Sequence, residues 1–137
     1  MKERSFIDTN ILLYTDDASA RKKRARALQL LEQGWHSGNL VLSTQVLQEY
    51  FVAATRKLGV PVATAQRKIE LFNALDIVCI EPKDIPRAID LHRLHQFSFW
   101  DSLILRMAQK TSCSVWLSED FQHGQTIGNV RIVNPFV

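Results

Sequence analysis

The stretch MKERSFIDTNILLY, residues 1–14, decides the fold, because it places a short apolar step directly before three polar residues. Residues 4–7 predict a short buried strand, and Phe6-Ile7 gives way at once to Asp8-Thr9-Asn10. In a parallel α/β sheet the ligand site lies beyond the carboxyl ends of the strands. Asp8 therefore stands where such a site would begin, which is a location and not yet a function.

Beyond this stretch, segments with strand and helix patterns alternate along the chain. Further strands are predicted over 39–43, 76–82, 114–118 and 129–135. Helices are predicted over 20–34, 43–59, 62–74, 83–95 and 98–111. Gly34 and Gly38 are expected to break the first of these helices. The alternation predicts an α/β fold with a central, mostly parallel sheet of four to five strands and helices on both faces.

Length and composition limit the classes of protein to consider. The chain has 137 residues, of which 46% are hydrophobic and 23% charged, and its net charge is +3. We predict one domain over residues 1–137, large enough to bury its own core. No apolar run approaches the length of a membrane span, so a soluble cytoplasmic protein is expected. The chain contains neither GxGxxG nor GxxxxGK[ST], which argues against enzymes that bind dinucleotides or nucleoside triphosphates.

Two aspartates follow predicted strands. Asp8 follows the first strand, and Asp120 follows the strand at 114–118, in Ser118-Glu119-Asp120. The carboxyl ends of parallel strands meet at one edge of the sheet, so both carboxylates are expected at the edge where α/β proteins build their sites. The alternative is that each aspartate only caps a short helix, because Asp is a common N-cap residue.

A third acid, Asp101, occupies an inward position of its helix. Apolar residues follow it at i+3, i+4 and i+7, namely Ile104, Leu105 and Ala108. A carboxylate buried on that stripe needs a partner or a metal ion. The alternative is structural, because Ser98 and Asp101 fit a capping box, with the acid in the first turn on the helix dipole.

The fourth acid, Glu49, lies among apolar neighbours in the helix over 43–59, although a lone helical glutamate is usually solvated.

If the four acids lie in one cleft, they repel each other by roughly 3 kcal/mol per pair at ~5 Å and an effective dielectric of ~20. Such a cluster stays ionised only around a cation, and otherwise some members protonate. Oxygen ligands alone favour Mg²⁺ or Mn²⁺ over zinc, and these ions commonly act on phosphate groups.

In order and spacing, these motifs resemble the PIN domain, and more closely the VapC-type toxins of toxin–antitoxin pairs. The resemblance rests on Asp8-Thr9-Asn10, on Glu49, on Asp101 within FWDSLI and on Ser118-Glu119-Asp120, and it covers nearly the whole chain. It implies a three-layer α/β/α fold and an endoribonuclease that depends on Mg²⁺ or Mn²⁺.

The resemblance also implies roles for individual residues. Asp8, Glu49, Asp101 and Asp120 would form the catalytic acidic site, in which Asp8, Asp101 and Asp120 would hold the metal. Asn10 and Ser118 would support these acids by hydrogen bonds. Glu119 is adjacent to Asp120 and could reach the metal in its place.

RNA contacts are expected from basic and aromatic residues. The densest positive charge begins with Arg21, Lys22, Lys23 and Arg24, which could bind phosphates or could simply form a solvated helix start. The aromatic residues beside Asp101 could stack on an unpaired base, although core packing is the simpler account. These residues are Phe97, Phe99 and Trp100.

The VapC resemblance implies an RNA substrate such as a tRNA or ribosomal loop, a cognate antitoxin protein and a homodimer. Two alternatives stay open. One is a nuclease of the same fold that processes RNA without a toxin role, and the other is a non-enzymatic module that binds a metal ion or a protein.

Overall fold

The computed structural model describes residues 3–137. The strands are β1 Ser5–Ile7, β2 Leu40–Ser43, β3 Asp76–Val78, β4 Val115–Leu117, β5 Thr126–Ile127 and β6 Val130–Val133. The helices are α1 Thr9–Tyr14, α2 Arg21–Ser37, α3 Thr44–Lys57, α4 Val62–Phe72, α5 Asp84–His95 and α6 Phe99–Lys110.

The strands form one sheet in the order β3-β2-β1-β4-β6-β5. All neighbours pair in parallel except β5, which runs antiparallel to β6. The mostly parallel α/β sheet is therefore confirmed, with six strands instead of the expected four to five. The additional strand is β5, whose two residues are too few to produce a recognisable pattern. From β1 the chain adds β2 and β3 on one side of the sheet, and it then crosses over to add β4 on the other side of β1. The carboxyl ends of β1 and β4 therefore flank the topological switch point.

Both faces of the sheet are buried, which requires a helical layer on each side. Register places Phe6, Val41, Trp116 and Ile132 on one face, and all of them are fully buried. On the opposite face Ile7 is equally inaccessible. Burial of these apolar side chains is the main favourable contribution to folding and fixes the strand ends that carry the site.

Helix α2 differs from the prediction at one glycine. Gly38 does end the helix, with a left-handed backbone at φ 72° that glycine adopts readily. Gly34 does not break the helix but lies within it, where a Cβ atom would come within 2.6 Å of the Leu40 side chain. Gly34 therefore lets α2 approach β2 closely, and the prediction of a break at this residue was wrong.

Helix α1 was not predicted from the sequence. It has only six residues, and it begins immediately after β1 with Asp8 as its N-cap. A helix this short adds little periodicity, and its stability comes from packing rather than from propensity. It contacts both α2 and α3, so it closes the region beyond the end of β1.

Candidate functional site

The candidate site lies where β1 and β4 end side by side. The two strands pair in parallel, with Ile7 opposite Leu117. The backbone N–H of Asp8 donates to the carbonyl oxygen of Leu117 at 3.1 Å, which extends the pairing by one step. The residues that follow the two strands, Asp8 and Ser118, are therefore neighbours, as predicted from the topology of parallel strands.

Asp8 is almost completely buried, with 6% of its surface exposed. One carboxylate oxygen accepts the backbone N–H of Thr9 at 2.8 Å, and the other accepts the Ser118 hydroxyl at 2.8 Å. Burial raises the pKa of Asp8 to about 7, although the hydrogen bonds from Ser118 and Thr9 oppose this change. Repulsion from Asp120 and Asp101 raises the pKa further. The capping interpretation of Asp8 is therefore correct, and its role in an acidic site stays a prediction.

Ser118 and Asn10 connect this cluster by hydrogen bonds. The fully buried Ser118 hydroxyl donates to Asp8 and accepts the backbone N–H of Asp120 at 3.2 Å. The side-chain amide of Asn10 donates to a carboxylate oxygen of Asp120 at 3.0 Å. Both residues therefore hydrogen-bond to acids of the group, as the resemblance implied, and these bonds connect the loop after β4 to β1 and α1.

Asp101 lies half-buried in the first turn of α6. Its backbone N–H donates to the Ser98 hydroxyl at 3.1 Å, so Ser98 is the N-cap of the helix. Burial raises the pKa of the Asp101 carboxyl, the Ser98 hydroxyl opposes this, and the charges of Asp120 and Glu49 raise it further. The capping interpretation is correct for Ser98, while the carboxylate of Asp101 is repelled by the charges of Asp120 and Glu49.

Glu49 is held by two hydrogen bonds and is not simply solvated. The Thr9 hydroxyl donates to its Oε1 atom at 2.6 Å, and the Gln45 amide donates to its Oε2 atom at 3.1 Å. Thr9 belongs to α1, whereas Gln45 precedes Glu49 by one turn of α3. These contacts fix the carboxylate of Glu49 beside the start of α1, where its negative charge repels the carboxylate of Asp101.

Glu119 and Asp120 have different surroundings. The Tyr14 hydroxyl and the Lys23 ammonium both donate to Glu119, the latter at 2.8 Å. Burial would raise the pKa of Glu119, but the hydrogen bonds from Lys23 and Tyr14 outweigh it and hold that pKa below its ordinary value. Asp120 instead acts electrostatically on Asp8 and Asp101. The geometry therefore brings Asp120 into the cluster and directs Glu119 toward α2.

The acidic cluster is suited to a hard cation by its chemistry. The atoms that could bind a metal ion are all carboxylate oxygens, and a divalent ion would relieve the repulsion between the carboxylates. Within residues 3–137, no three His, Cys, Asp or Glu side chains are placed closely enough to hold a metal ion as they stand. Binding an ion would therefore require these carboxylates to move toward one another, and Asp120, which is exposed, has room to do so.

The four basic residues proposed to contact RNA divide into two pairs. Lys23 binds Glu119, and its ammonium group lies 5.0 Å from the centre of the Tyr14 ring. The Arg24 guanidinium donates to the carbonyl oxygen of Thr15 at 3.2 Å. Arg21 and Lys22 are exposed at the start of α2. The first pair thus helps to attach α2 to α1, while Arg21, Lys22 and also Arg24 are exposed to a ligand.

The aromatic residues before Asp101 also differ from one another. Phe97 packs against Phe121, with ring centres 5.1 Å apart, as expected for a core residue. Trp100 is 59% exposed and meets the partly buried Phe99 edge-on. Core packing therefore accounts for Phe97 but not for Trp100.

A match to a family model agrees with this geometry. The model for the PIN domain matches residues 5–126, which include all four acids of the cluster. The chain belongs to the PIN domain family. Solved structures similar to this PIN domain include a toxin–antitoxin complex from Klebsiella pneumoniae, at 21% identity and a TM-score of 0.70 over 96% of this chain and 97% of the other.

Two further structures share the fold of this PIN domain. VapC20 of Mycobacterium tuberculosis, described as a sarcin–ricin loop cleaving toxin, has 22% identity and a TM-score of 0.67 over 85% of this chain and 91% of its own. VapBC2 of Rickettsia felis, bound to a DNA fragment from its promoter, has 19% identity and a TM-score of 0.68 over 93% of this chain and 96% of its own. No curated protein sequence matches the chain. In the described part of this PIN domain, residues 3–137, no helix is long and apolar enough to cross a membrane.

Proposed function

We propose that this PIN domain is an endoribonuclease that depends on Mg²⁺ or Mn²⁺ and acts as the toxin of a toxin–antitoxin pair. The proposal is supported by the repulsion of Asp8 by Asp101 and Asp120, beyond the ends of β1 and β4. Glu49 in turn repels Asp101. Carboxylates that repel each other reduce the stability of the folded chain, as expected for a site that binds a cation.

In this proposal Asp8, Asp101 and Asp120 would hold the ion, and Glu49 would complete the negative charge or orient the attacking water. A bound Mg²⁺ or Mn²⁺ would activate water and neutralise the charge that develops on the scissile phosphate. Ser118 orients Asp8 by donating to one carboxylate oxygen, while Asn10 does the same for Asp120. The hydrogen bonds from Thr9 and Gln45 restrict the rotation of Glu49.

The toxin role is supported by the kind of protein that shares this fold. The similar structures include a toxin–antitoxin complex and a toxin that cleaves the sarcin–ricin loop. We therefore propose a cognate antitoxin as the protein partner, a loop of structured RNA as the substrate and a homodimer in the cytoplasm as the active form. Arg21 and Lys22 are the exposed cations that would contact the phosphate backbone of the RNA.

The proposal is tested by incubating the purified protein with total tRNA and rRNA in Mg²⁺, in Mn²⁺ and in EDTA. We expect discrete fragments in either metal and none in EDTA. Asp8→Ala and Asp101→Asn should abolish the fragments, because each removes a carboxylate from the cluster. Asp90→Asn, which changes an exposed acid on α5, is the matched control and should cleave like the wild type.

The outcomes of this experiment separate the alternatives. No fragments from a folded wild-type protein that binds the metal would favour the non-enzymatic module. Cleavage that survives in both Asp8→Ala and Asp101→Asn would place the active site elsewhere. A small antitoxin-like reading frame directly upstream of the gene would distinguish a toxin from an RNA-processing nuclease.

A further inference from the structure

Gln45 is a buried polar residue in the first turn of α3, with 4% of its surface exposed. Its amide nitrogen donates to Glu49 Oε2 at 3.1 Å and to the carbonyl oxygen of Trp100 at 3.2 Å. The first acceptor belongs to the acidic cluster, and the second lies in the first turn of α6, one residue before Asp101. Gln45 therefore connects two of the helices that carry the cluster.

The orientation of the Gln45 amide follows from its acceptors. A carboxylate and a backbone carbonyl can only accept hydrogen bonds, so both must face the NH₂ group. The opposite orientation would place the amide oxygen against two other oxygens. The amide oxygen instead faces the interior, where it has no hydrogen-bond partner among residues 3–137.

The orphaned oxygen reduces the net contribution of the Gln45 side chain to folding. A buried oxygen without a partner carries an uncompensated desolvation cost, and an apolar side chain of similar size would avoid it. A polar side chain at this position therefore needs another explanation. Its contacts supply one, because the Gln45 amide and the Thr9 hydroxyl together hold both oxygens of Glu49.

We propose that Gln45 is a positioning residue, which fixes the carboxylate of Glu49 and keeps it at a constant distance from the start of α6. The inference rests on the proposed nuclease function and deepens it. Residues that orient the ligands or acids of a metal site commonly change metal affinity or activity by about 10–100-fold when they are replaced. Without Gln45, Glu49 would keep only the hydrogen bond from Thr9 and would rotate more freely.

Gln45→Met tests the inference, because methionine has nearly the same length and no hydrogen-bonding amide. We expect kcat for RNA cleavage to fall about 10–100-fold while KM changes little. The Mn²⁺ concentration that gives half of the metal-induced rise in Tm should increase by a similar factor. The Tm of the metal-free protein should stay close to that of the wild type, because the lost hydrogen bonds are offset by removal of the unpaired oxygen.

Gln48→Met is the matched control, because Gln48 is exposed on the same helix and directly precedes Glu49. It should leave kcat, KM and the Mn²⁺ midpoint unchanged. Wild-type values of kcat and the Mn²⁺ midpoint in Gln45→Met would overturn the inference and leave the nuclease proposal intact. A large loss of Tm with normal kcat per folded molecule would also overturn it, since Gln45 would then be only structural. Absence of metal-dependent cleavage by the wild type would overturn both proposals.

Discussion

Asp8 uses one carboxylate oxygen to cap α1 and the other to receive the Ser118 hydroxyl. The side chain is nevertheless buried beside other acids, and its pKa of about 7 reflects chiefly that burial. A carboxyl group whose pKa is higher in the folded chain than in the unfolded chain stabilises the fold while it is protonated. This contribution is complete below the unfolded pKa of 3.8 and is lost as the pH rises through about 7.

The raised pKa of Asp8 makes the stability of the metal-free protein depend on pH. A rise of about three units in the pKa corresponds to roughly 4 kcal/mol of folding free energy that disappears between acidic and mildly alkaline pH. In EDTA, the stability of the wild type should therefore fall from pH 5 to pH 8 more steeply than that of Asp8→Asn, which cannot ionise. Urea unfolding across this range measures both slopes. Parallel pH profiles would mean that the Asp8 pKa is not raised by folding.

The positions of some residues could be predicted from the sequence alone, whereas certain contacts could not. The positions of Asp8 and Asp120 after a strand and of Asp101 in a first helical turn agree with the sequence, while their role in binding a metal stays a prediction. Gln45 and Thr9 were not assigned as contacts of Glu49. Gln45 precedes Glu49 by one helical turn, so the i,i+4 spacing was an available signal. Thr9 gave no such signal, because its contact with Glu49 joins residues 40 positions apart.

At the scale of elements, two polar clusters hold the helices that carry the acids. Near the site, the Tyr50 hydroxyl of α3 donates to Asp16 at 2.6 Å, and Lys68 of α4 binds the same carboxylate at 2.8 Å. On α5, the fully buried Asp84 accepts from Arg106 at 3.0 Å and from Lys110 at 2.9 Å, both on α6. The second cluster attaches α6 to α5.

The α5–α6 contact depends on the charge of Asp84. Burial would raise the pKa of Asp84, but the Glu81 backbone N–H, Lys110 and Arg106 hold it below its ordinary value, so the group stays ionised. Asp84→Ala leaves two cations without their buried partner, which costs about 3 kcal/mol. For a chain of this size the Tm should fall by roughly 10 °C, while cleavage per folded molecule stays unchanged.

Asp90→Ala is the control for this measurement, because Asp90 lies exposed on the same helix. Its Tm should remain close to that of the wild type. Equal Tm values for Asp84→Ala and Asp90→Ala would contradict the account of the α5–α6 contact. Loss of cleavage by Asp84→Ala at a temperature where it is fully folded would instead connect this cluster to the acidic site.

At the scale of the whole molecule, alternation of strands and helices was enough to predict a mostly parallel α/β fold. The pairing of Glu119 with Lys23 could not be predicted in the same way. These residues are 96 positions apart, and their contact depends on how α2 packs against the loop after β4. The resemblance therefore favoured Asp120 but left Glu119 open as the alternative, and the tertiary packing around Tyr14 and Lys23 gives the two acids different surroundings.

In the proposed function, Asp8, Asp101 and Asp120 together bind a divalent cation. Calorimetric titration of the metal-free protein with Mn²⁺ tests it most directly, because it needs no RNA substrate. We predict saturable binding by the wild type, a higher Tm in the presence of Mn²⁺ and binding at least about tenfold weaker in Asp101→Asn. The metal-free Asp101→Asn protein should be at least as stable as the wild type, because one repelling charge is gone. No binding at millimolar Mn²⁺, or equal binding by the wild type and Asp101→Asn, would contradict the account.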